Sequence, residues 1–380
     1  MDFDLSDEQR LLKDSVDRMI GDRYDFESRK RFMAEPEGFS RANWASFAEL
    51  GLLAVPFAEE YGGIGGGPVE TMIVMEAFGR GLVIEPYFAT VVLGGGLLRH
   101  GGSEAQQAEL LPAIAAGETT LAFAHVERGS RYDLHDVETR AKRDGEGYLL
   151  TGEKGVVLSG DSADKLIVTA RTAGGRRDRG GIGLFLVDPK GPGVSRRGYP
   201  TQDGARGAEV SLDGARGEAL GDPENGLAVA ERVADEAIAA LCAESVGVMA
   251  ELQDTTVDYI KTRKQFGVTI GSFQALQHKA ADMVVANEQA RSMTYYATMM
   301  SGSDDAAERA KAMSAAKVQI GRSGRFVGQA AIQLHGGVGV TQEYKVGHYF
   351  KRMTVIETLF GDADHHLARL AEGGSLFKAA

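Results

Sequence analysis

Residues 259–283 read YIKTRKQFGVTIGSFQALQHKAADM. Apolar residues at helical spacing lead into this stretch and out of it, while Gly267 and Gly271 interrupt it. The pattern predicts two helices joined by a glycine-broken junction. Upstream, Val229, Val233, Ala237, Ala240 and Leu241 begin a helix that continues to Lys264, far longer than an average globular helix. Downstream, a second helix runs from about Phe273 to Met300, Ser301 to Asp305 turns the chain, and a third ends near Leu334. Three long antiparallel helices plus a short terminal one predict a C-terminal four-helix bundle over residues 224–380.

The chain before that bundle follows two other patterns. Ser6 with Gln9 forms a capping-box signature ahead of Leu12, Val16, Met19 and Ile20 at helical spacing. Ser40 is placed to cap a second helix with Trp44, Phe47 and Leu50 on one face and Gly51 as its stop. Further helices are expected from about Val69 to Arg80 and from Glu104 to Ala115, so residues 1–118 read as an N-terminal helical domain. The glycine run EEYGGIGGG, Glu59 to Gly67, lacks the Gly-Lys-Ser/Thr ending of a phosphate loop and follows no strand, so it reads as a connector. From Thr119 short runs such as LAFAH, GYLLTG, KLIVTAR and GIGLFLVD alternate with Gly, Asp and Pro, which predicts a middle β-barrel or sandwich over residues 119–223. The expected fold class is multidomain α+β. Within the β part, Arg171, Arg176, Arg177, Arg179, Arg196 and Arg197 concentrate positive charge, read first as a solvated loop and second as a contact for phosphates.

Composition narrows the function. The 380 residues are 43% hydrophobic, an ordinary globular balance, and exceed the usual size of one hydrophobic core. A formal charge of -12 disfavours a nucleic-acid binder. The single cysteine, Cys242, rules out an intramolecular disulfide and a multi-cysteine metal site. The acidic start MDFDLSDEQR lacks the cations of a signal peptide, and no apolar run long enough to cross a membrane occurs, so a cytoplasmic protein is expected.

The junction carries readable chemistry. Arg263 offers a planar fork suited to a pyrophosphate, Gln265 and Gln274 can hydrogen-bond a ribityl or phosphate oxygen, and Phe266 can pack on a flat ring. A satisfied polar junction between two helices is the plain alternative. The pattern Arg-x-x-Phe-Gly followed by Phe-Gln-x-x-Gln, met by Arg263, Phe266, Gly267, Phe273, Gln274 and Gln277, resembles the acyl-CoA dehydrogenase family. A second stretch, QLHGGVGVTQEY from Gln333 to Tyr344, resembles it too, and the α, β, α order extends the resemblance over essentially the whole chain. At finer grain the sequence is similar to the small subunits of two-subunit members such as pimeloyl-CoA dehydrogenase. The resemblance implies FAD as cofactor, an acyl-CoA substrate and an electron-transferring flavoprotein as electron acceptor. It also implies that Arg263, Gln265, Phe266, Gln274, Gln333, Gly336 and Gly337 reach across a dimer interface to the FAD of a neighbouring subunit.

The resemblance weakens where the flavin ring would sit. The family's Thr-Glu-Pro-x-x-Gly-Ser is AHVERGS here, with Ala124 at the hydroxyl position and Ser130 retained as a weaker cofactor-binding candidate. The family's Trp-Ile-Thr or Trp-Ile-Ser is replaced by Val156, Val157 and Leu158, so two donors to the ring are lost together. Proton abstraction α to a thioester needs a carboxylate with a raised pKa, yet Phe360 holds the usual glutamate position and Ala237 a second one. Glu236 and Glu244 are weak candidates for a displaced base, each reading first as a structural carboxylate. Asp362 and Asp364 stand where the resemblance places contacts to the chain's own adenosine. With His365 and His366 they form a candidate metal cluster, but adjacent histidines on a helix point about 100° apart, and no metal site is expected.

These losses fall on groups that would serve the chain's own flavin, and the groups the family lends to a neighbour remain. The reading that follows is a FAD-dependent acyl-CoA dehydrogenase subunit completing a partner's site within an α2β2 tetramer. A self-sufficient homomeric dehydrogenase with a displaced carboxylate is the alternative, and a non-catalytic binding protein on the same fold a third.

Overall fold

The computed structural model describes residues 4–372, so whatever the expected terminal domains include at 1–3 and 373–380 lies outside the described residues. The described residues divide into two compact units that cut across chain order, one of residues 4–30, 68–83 and 238–372, the other of residues 31–67 and 84–237.

In the first unit, helix α1 (Asp7–Arg23) starts at the expected reciprocal capping box of Ser6 and Gln9 and buries Val16, Met19 and Ile20. Helix α2 (Phe26–Met33) follows at once. Its sequence FESRKRFM buries Ser28 and Arg29 rather than an apolar stripe, which is why helical spacing did not predict it. Helix α4 (Pro68–Gly81) ends with Val83 N–H donating to the Phe78 carbonyl at 3.0 Å while Leu82 takes φ 51, a position glycine usually fills. Its last carbonyls are met from elsewhere, that of Leu82 by Arg29 Nε at 2.8 Å and that of Arg80 by the Tyr349 hydroxyl.

The long helices also belong chiefly to this unit. Helix α7 (Gly226–Thr262) passes its later part through it, followed by α8 (Gln274–Ser301) and α9 (Ala306–His335). The expected single terminal helix is two, α10 (Lys345–Thr358) and α11 (Ala363–Glu372), and α9 packs on α8, α10 and α11. A buried ammonium organises the link between them. Lys317 Nζ on α9 donates to the carbonyls of Ile356, Glu357 and Gly361 at 2.7, 3.1 and 3.0 Å, and burial lowers its pKa to about 8. No helix among the described residues is long and apolar enough to cross a membrane.

The second unit holds the sheet. Helix α3 (Arg41–Glu49) is capped by Ser40 and buries Trp44 and Phe47, but Leu50 is exposed rather than on the buried face. Gly51, at φ 72, stops it as expected. The glycine run after it forms no anion cradle. The N–H groups of Gly63, Ile64, Gly65 and Gly66 donate back to the carbonyls of Ala58, Ala54, Phe57 and Val55. Helix α5 (Gly95–Gly101) follows a π-helical turn at Phe88–Gly94, and α6 is Glu104–Ala115.

Seven strands then follow: β1 (Leu121–Ala124), β2 (Arg140–Asp144), β3 (Gly147–Leu158), β4 (Lys165–Arg171), β5 (Ile182–Val187), β6 (Val194–Pro200) and β7 (Arg206–Ala219). Their order is β1-β4-β2-β3-β7-β5, with β4 also pairing β5 so that the sheet closes, and with β6 on β7. Leu150, Val168, Phe185, Val210 and Leu212 fill the interior. The runs GYLLTG and GVVLSG belong to one strand whose register shifts between Lys154 and Val157.

The arginine concentration divides: Arg177, Arg179 and Arg197 are exposed, as the solvated-loop reading expects, whereas Arg171 is not. Arg171 is buried and donates to five carbonyls at 3.1 Å or less, those of Val137, Gly180, His135, Arg176 and Asp178, which pins two loops to the end of β4. Arg176 and Arg177 pair with Asp136, Arg179 with Glu231 at 2.6 Å, and Arg196 donates to the Gly160 and Ala163 carbonyls.

A second buried charge closes the segment 126–130. Lys154 Nζ lies 2.6 Å from Glu127 Oε1 and 2.9 Å from Thr169 Oγ1, and the Glu127 carboxylate also accepts from the N–H groups of Glu138 and Thr139. Lys154→Met strands that carboxylate and is expected to destabilise the unit by about 3–5 kcal/mol in urea denaturation. The double change Glu127→Gln/Lys154→Met is expected to cost less than the sum of the single changes, because neither partner is then left charged and alone.

Candidate cofactor-binding site

Helix α7 ends at Thr262, and the glycine-broken junction is a two-stranded hairpin, β8 (Lys264–Gln265) against β9 (Val268–Thr269). Its two turn residues, Phe266 and Gly267, have φ 54 and 81, the doubly left-handed combination of a tight hairpin turn. Glycine adopts it freely. For phenylalanine it costs roughly 1–2 kcal/mol, and the side chain recovers little from local packing, being 90% exposed with only an edge contact to Phe273 at 6.1 Å. Arg263 and Gln274 are exposed, and their side chains form no hydrogen bond or ion pair among the described residues. Gln265 Nε2 donates to the Lys264 carbonyl at 2.7 Å, and Gln277 Nε2 spans the turn to the Gly271 carbonyl at 2.8 Å. Gln277 thus shapes the junction, whereas Arg263, Phe266 and Gln274 project from it.

The second stretch is brought to the same end of the helical unit. Helix α9 ends at His335, Gly336 turns the chain at φ 63, and a 3-10 turn covers Gly336–Val340. A side chain added at Gly336 or Gly337 would meet no atom within 4 Å, so the backbone there borders open space. The link to the junction runs through rings. Tyr259, one turn before Arg263, stacks on His335 with centroids 4.3 Å apart, donates its hydroxyl to the His335 carbonyl at 3.4 Å, and lies 6.4 Å from the Tyr344 ring. Burial lowers the pKa of His335, and its Nδ1 faces the Ala331 carbonyl at 2.8 Å. Arg263, Gln274, Gln333, Gly336 and Gly337 therefore form one exposed corner. Tyr259 is the member of this arrangement that sequence reasoning missed, although its spacing of four from Arg263 places both on one helix face.

The β unit presents less to a ligand. Ser130 is buried, and its hydroxyl accepts from Glu127 N–H at 3.1 Å while donating to the Glu127 carbonyl at 3.0 Å, so it is used within its own turn. Ala124 and Val157 are buried, and Val156 is 47% exposed at φ 49 on the bulge of β3. Ala124, Val156 and Val157 therefore offer no side-chain donor where the resemblance implies donors to a flavin ring.

Both candidate bases are held in ion pairs. Glu236 is not suited to proton abstraction: Arg99, His100 and Arg232 reach it at 2.7, 2.7 and 3.2 Å. Burial acts to raise its pKa, but the His100 hydrogen bond and the arginine charges outweigh burial and hold it at about 2. Glu244 is likewise consumed, gripped by Arg352 through both carboxylate oxygens at 2.6 and 2.8 Å. Ala237 is buried. Phe360 is half-buried at φ 56, and its carbonyl faces His366 Nε2 at 3.1 Å. Asp362 Oδ1 caps α11 through His365 N–H at 2.8 Å, and the other nitrogen of His366 faces Ser314 Oγ at 3.1 Å. No group of three or more His, Cys, Asp or Glu residues among those described is placed to hold a metal ion.

Comparison with known proteins adds the family. Three family models match in succession: Acyl-CoA dehydrogenase, N-terminal domain, over residues 6–118; middle domain over 122–213; and C-terminal domain over 224–374. The probable acyl-CoA dehydrogenase YngJ of Bacillus subtilis is 30% identical over 386 residues, covering 100% of both chains. The caffeyl-CoA reductase-Etf complex subunit CarC of Acetobacterium woodii is 30% identical over 339 residues, 87% of this chain and 88% of that protein. Among solved structures, the ChsE4–ChsE5 complex from Mycobacterium tuberculosis matches with a TM-score of 0.89 at 26% identity, covering 100% of both chains. The chain belongs to the acyl-CoA dehydrogenase family and is a FAD-dependent oxidoreductase.

Proposed function

We propose that this chain is the FAD-completing subunit of a heteromeric acyl-CoA dehydrogenase, similar to the small subunit of pimeloyl-CoA dehydrogenase, working beside a second subunit that carries the catalytic base. The observation that carries this reading is the division of labour in the site residues. The exposed corner of Arg263, Gln274, Gln333, Gly336 and Gly337 keeps its polar groups and backbone available, while Glu236 and Glu244 are both locked in ion pairs and Phe360 has no acid function. The ChsE4–ChsE5 complex, a close fold match, supports an assembly of two related chains.

The chemistry that FAD supplies when bound is acceptance of the electrons removed from the acyl chain in α,β-dehydrogenation. Arg263 would neutralise the pyrophosphate through its fork, Gln274, Gln265 and Gln333 would hydrogen-bond polar oxygens, Phe266 would pack on a flat surface, and Gly336 and Gly337 would allow close backbone approach. A carboxylate of the partner would remove the α-proton of the acyl-CoA. An electron-transferring flavoprotein would take up the electrons, a role supported by the name of the CarC complex. A cytoplasmic, α2β2 enzyme is the setting in which this arrangement operates.

Purified alone, the chain is expected to contain little flavin and to leave acyl-CoA unchanged, and co-expression with its partner is expected to restore both. Stoichiometric flavin and turnover in the single chain would instead establish the homomeric alternative. Within the complex, Arg263→Ala is expected to lower flavin per tetramer by tenfold or more in apparent affinity, about 1.4 kcal/mol or above, with Arg263→Lys in between; undiminished flavin absorbance would refute the assignment.

Glu236 gives a pH test of its structural role. With its pKa depressed from 4.5 to about 2, its contribution to stability is complete above pH 4.5 and is lost as pH falls through about 2. Glu236→Gln is therefore expected to lose less stability than the wild type over that window, measured as urea midpoints, and to leave turnover of the assembled enzyme intact.

A further inference from the structure

His335 is the residue through which the two halves of the exposed corner meet, and its surroundings constrain its protonation. It ends α9 directly before Gly336 and is 3% exposed. Its neighbours come from three other segments. The Tyr259 ring on α7 stacks on it at 4.3 Å, the Tyr344 ring at the start of α10 lies tilted at 5.1 Å, and the backbone of Gly339 is so close that a Cβ there would sit 3.1 Å from the His335 Cβ. Nδ1 faces the Ala331 carbonyl at 2.8 Å, so Nδ1 carries the proton and Nε2 the lone pair. Nε2 is buried and has no hydrogen-bond partner among the described residues.

A proton added at Nε2 would enter a place with no acceptor, and an unpaired buried donor is costly, more so when charged. Burial accordingly lowers the His335 pKa from its ordinary 6.5. The titratable groups that face the ring are the two tyrosine hydroxyls. Asp258, one residue before Tyr259, is exposed, and Lys345, one residue after Tyr344, is turned to Glu251 at 2.6 Å. The protein can therefore take this proton only by opening the stack and presenting Nε2 to water. We propose that His335 is a positioning residue for cofactor binding that works only while neutral: its protonation parts the end of α7 from the end of α9 and releases the flavin. The proposal rests on the corner holding FAD, as argued above. A base whose pKa is lowered by folding adds stability above 6.5 and loses it as pH falls through the lowered value. With 6.5 restored in the opened form, the closed corner is disfavoured by at most about thirtyfold at pH 5.0.

Two measurements test it. In the isolated chain, hydrogen exchange of residues 259–272 and 333–344 is compared at pH 7.5 and 5.0 after correction for intrinsic rates. Exchange in both segments is expected to accelerate about tenfold in the wild type and less than about twofold in His335→Phe, which keeps a ring on Tyr259 but cannot take a proton. In the assembled complex, flavin release followed by fluorescence is expected to accelerate about tenfold over the same pH step in the wild type and to stay flat in His335→Phe, each protein compared with its own value at pH 7.5. Tyr259→Phe keeps the histidine and is expected to keep the wild-type response. Should His335→Phe fold poorly, His335→Gln takes its place, with weaker flavin binding at pH 7.5 but no pH step. No acceleration in the wild type, the same acceleration in His335→Phe, or an exchange response while the complex keeps its flavin would overturn the proposal. The cofactor assignment fails separately, through flavin retained in Arg263→Ala, and the exchange measurement needs neither partner nor flavin.

Discussion

The stack of Tyr259 on His335 is the contact on which the candidate cofactor corner depends. It joins two segments 76 residues apart in sequence, the end of α7 and the end of α9. Neither end is useful alone. A hairpin after α7 would sway about Thr262, and the glycines after α9 have no side chains with which to hold position. Once the rings meet, Arg263 and Gly336 are fixed relative to each other by aromatic packing and one hydrogen bond, interactions worth about 0.5–1.5 kcal/mol for the ring pair. Burial lowers the pKa of His335 and so disfavours a charged ring at the base of the stack.

A second constraint runs through both units: interior charges are spent on the protein's own backbone and on each other. Arg171 holds carbonyls of two loops, Lys317 holds the carbonyls between α10 and α11, and Glu127 ties two backbone N–H groups to Lys154. Each is an ionisable group in a place where an unsatisfied carbonyl or N–H would be costly. The same economy explains why the carboxylates near the usual base positions are chemically quiet. Glu236, surrounded by donors, stays ionised and weakly basic, the opposite of what α-proton abstraction needs.

The sequence made the fold legible wherever one local signal decided an element. Ser6 with Gln9, Ser40, Gly51 and the long apolar spacing of α7 to α9 each name a boundary, and each boundary is found. Elements whose burial depends on distant partners were not legible. Helix α2 has charged residues on half of its positions, and β2 and β6, with RAKRD and VSRRGYP, are strands because β3 and β7 pair with them, not because of their own hydrophobicity. The candidate corner was singled out through Arg263 and the paired glycines, since those residue types have few other reasons to stand at a helix junction. The fate of Glu236 was not. Its neutralisers Arg99 and His100 lie more than 130 residues away, and no spacing rule connects them.

The hairpin tip has a consequence for the life of the unassembled chain. Phe266 is strained in backbone and bare in side chain, so both penalties persist for as long as the tip faces water. An assembly that covers the ring removes an apolar mark from the surface, while a copy without a partner continues to display it. Such marks are what chaperones and proteases sample when they sort orphan subunits from finished complexes. In the heteromeric assembly proposed above, one phenylalanine at a hairpin turn would couple the lifetime of this chain to the supply of its partner.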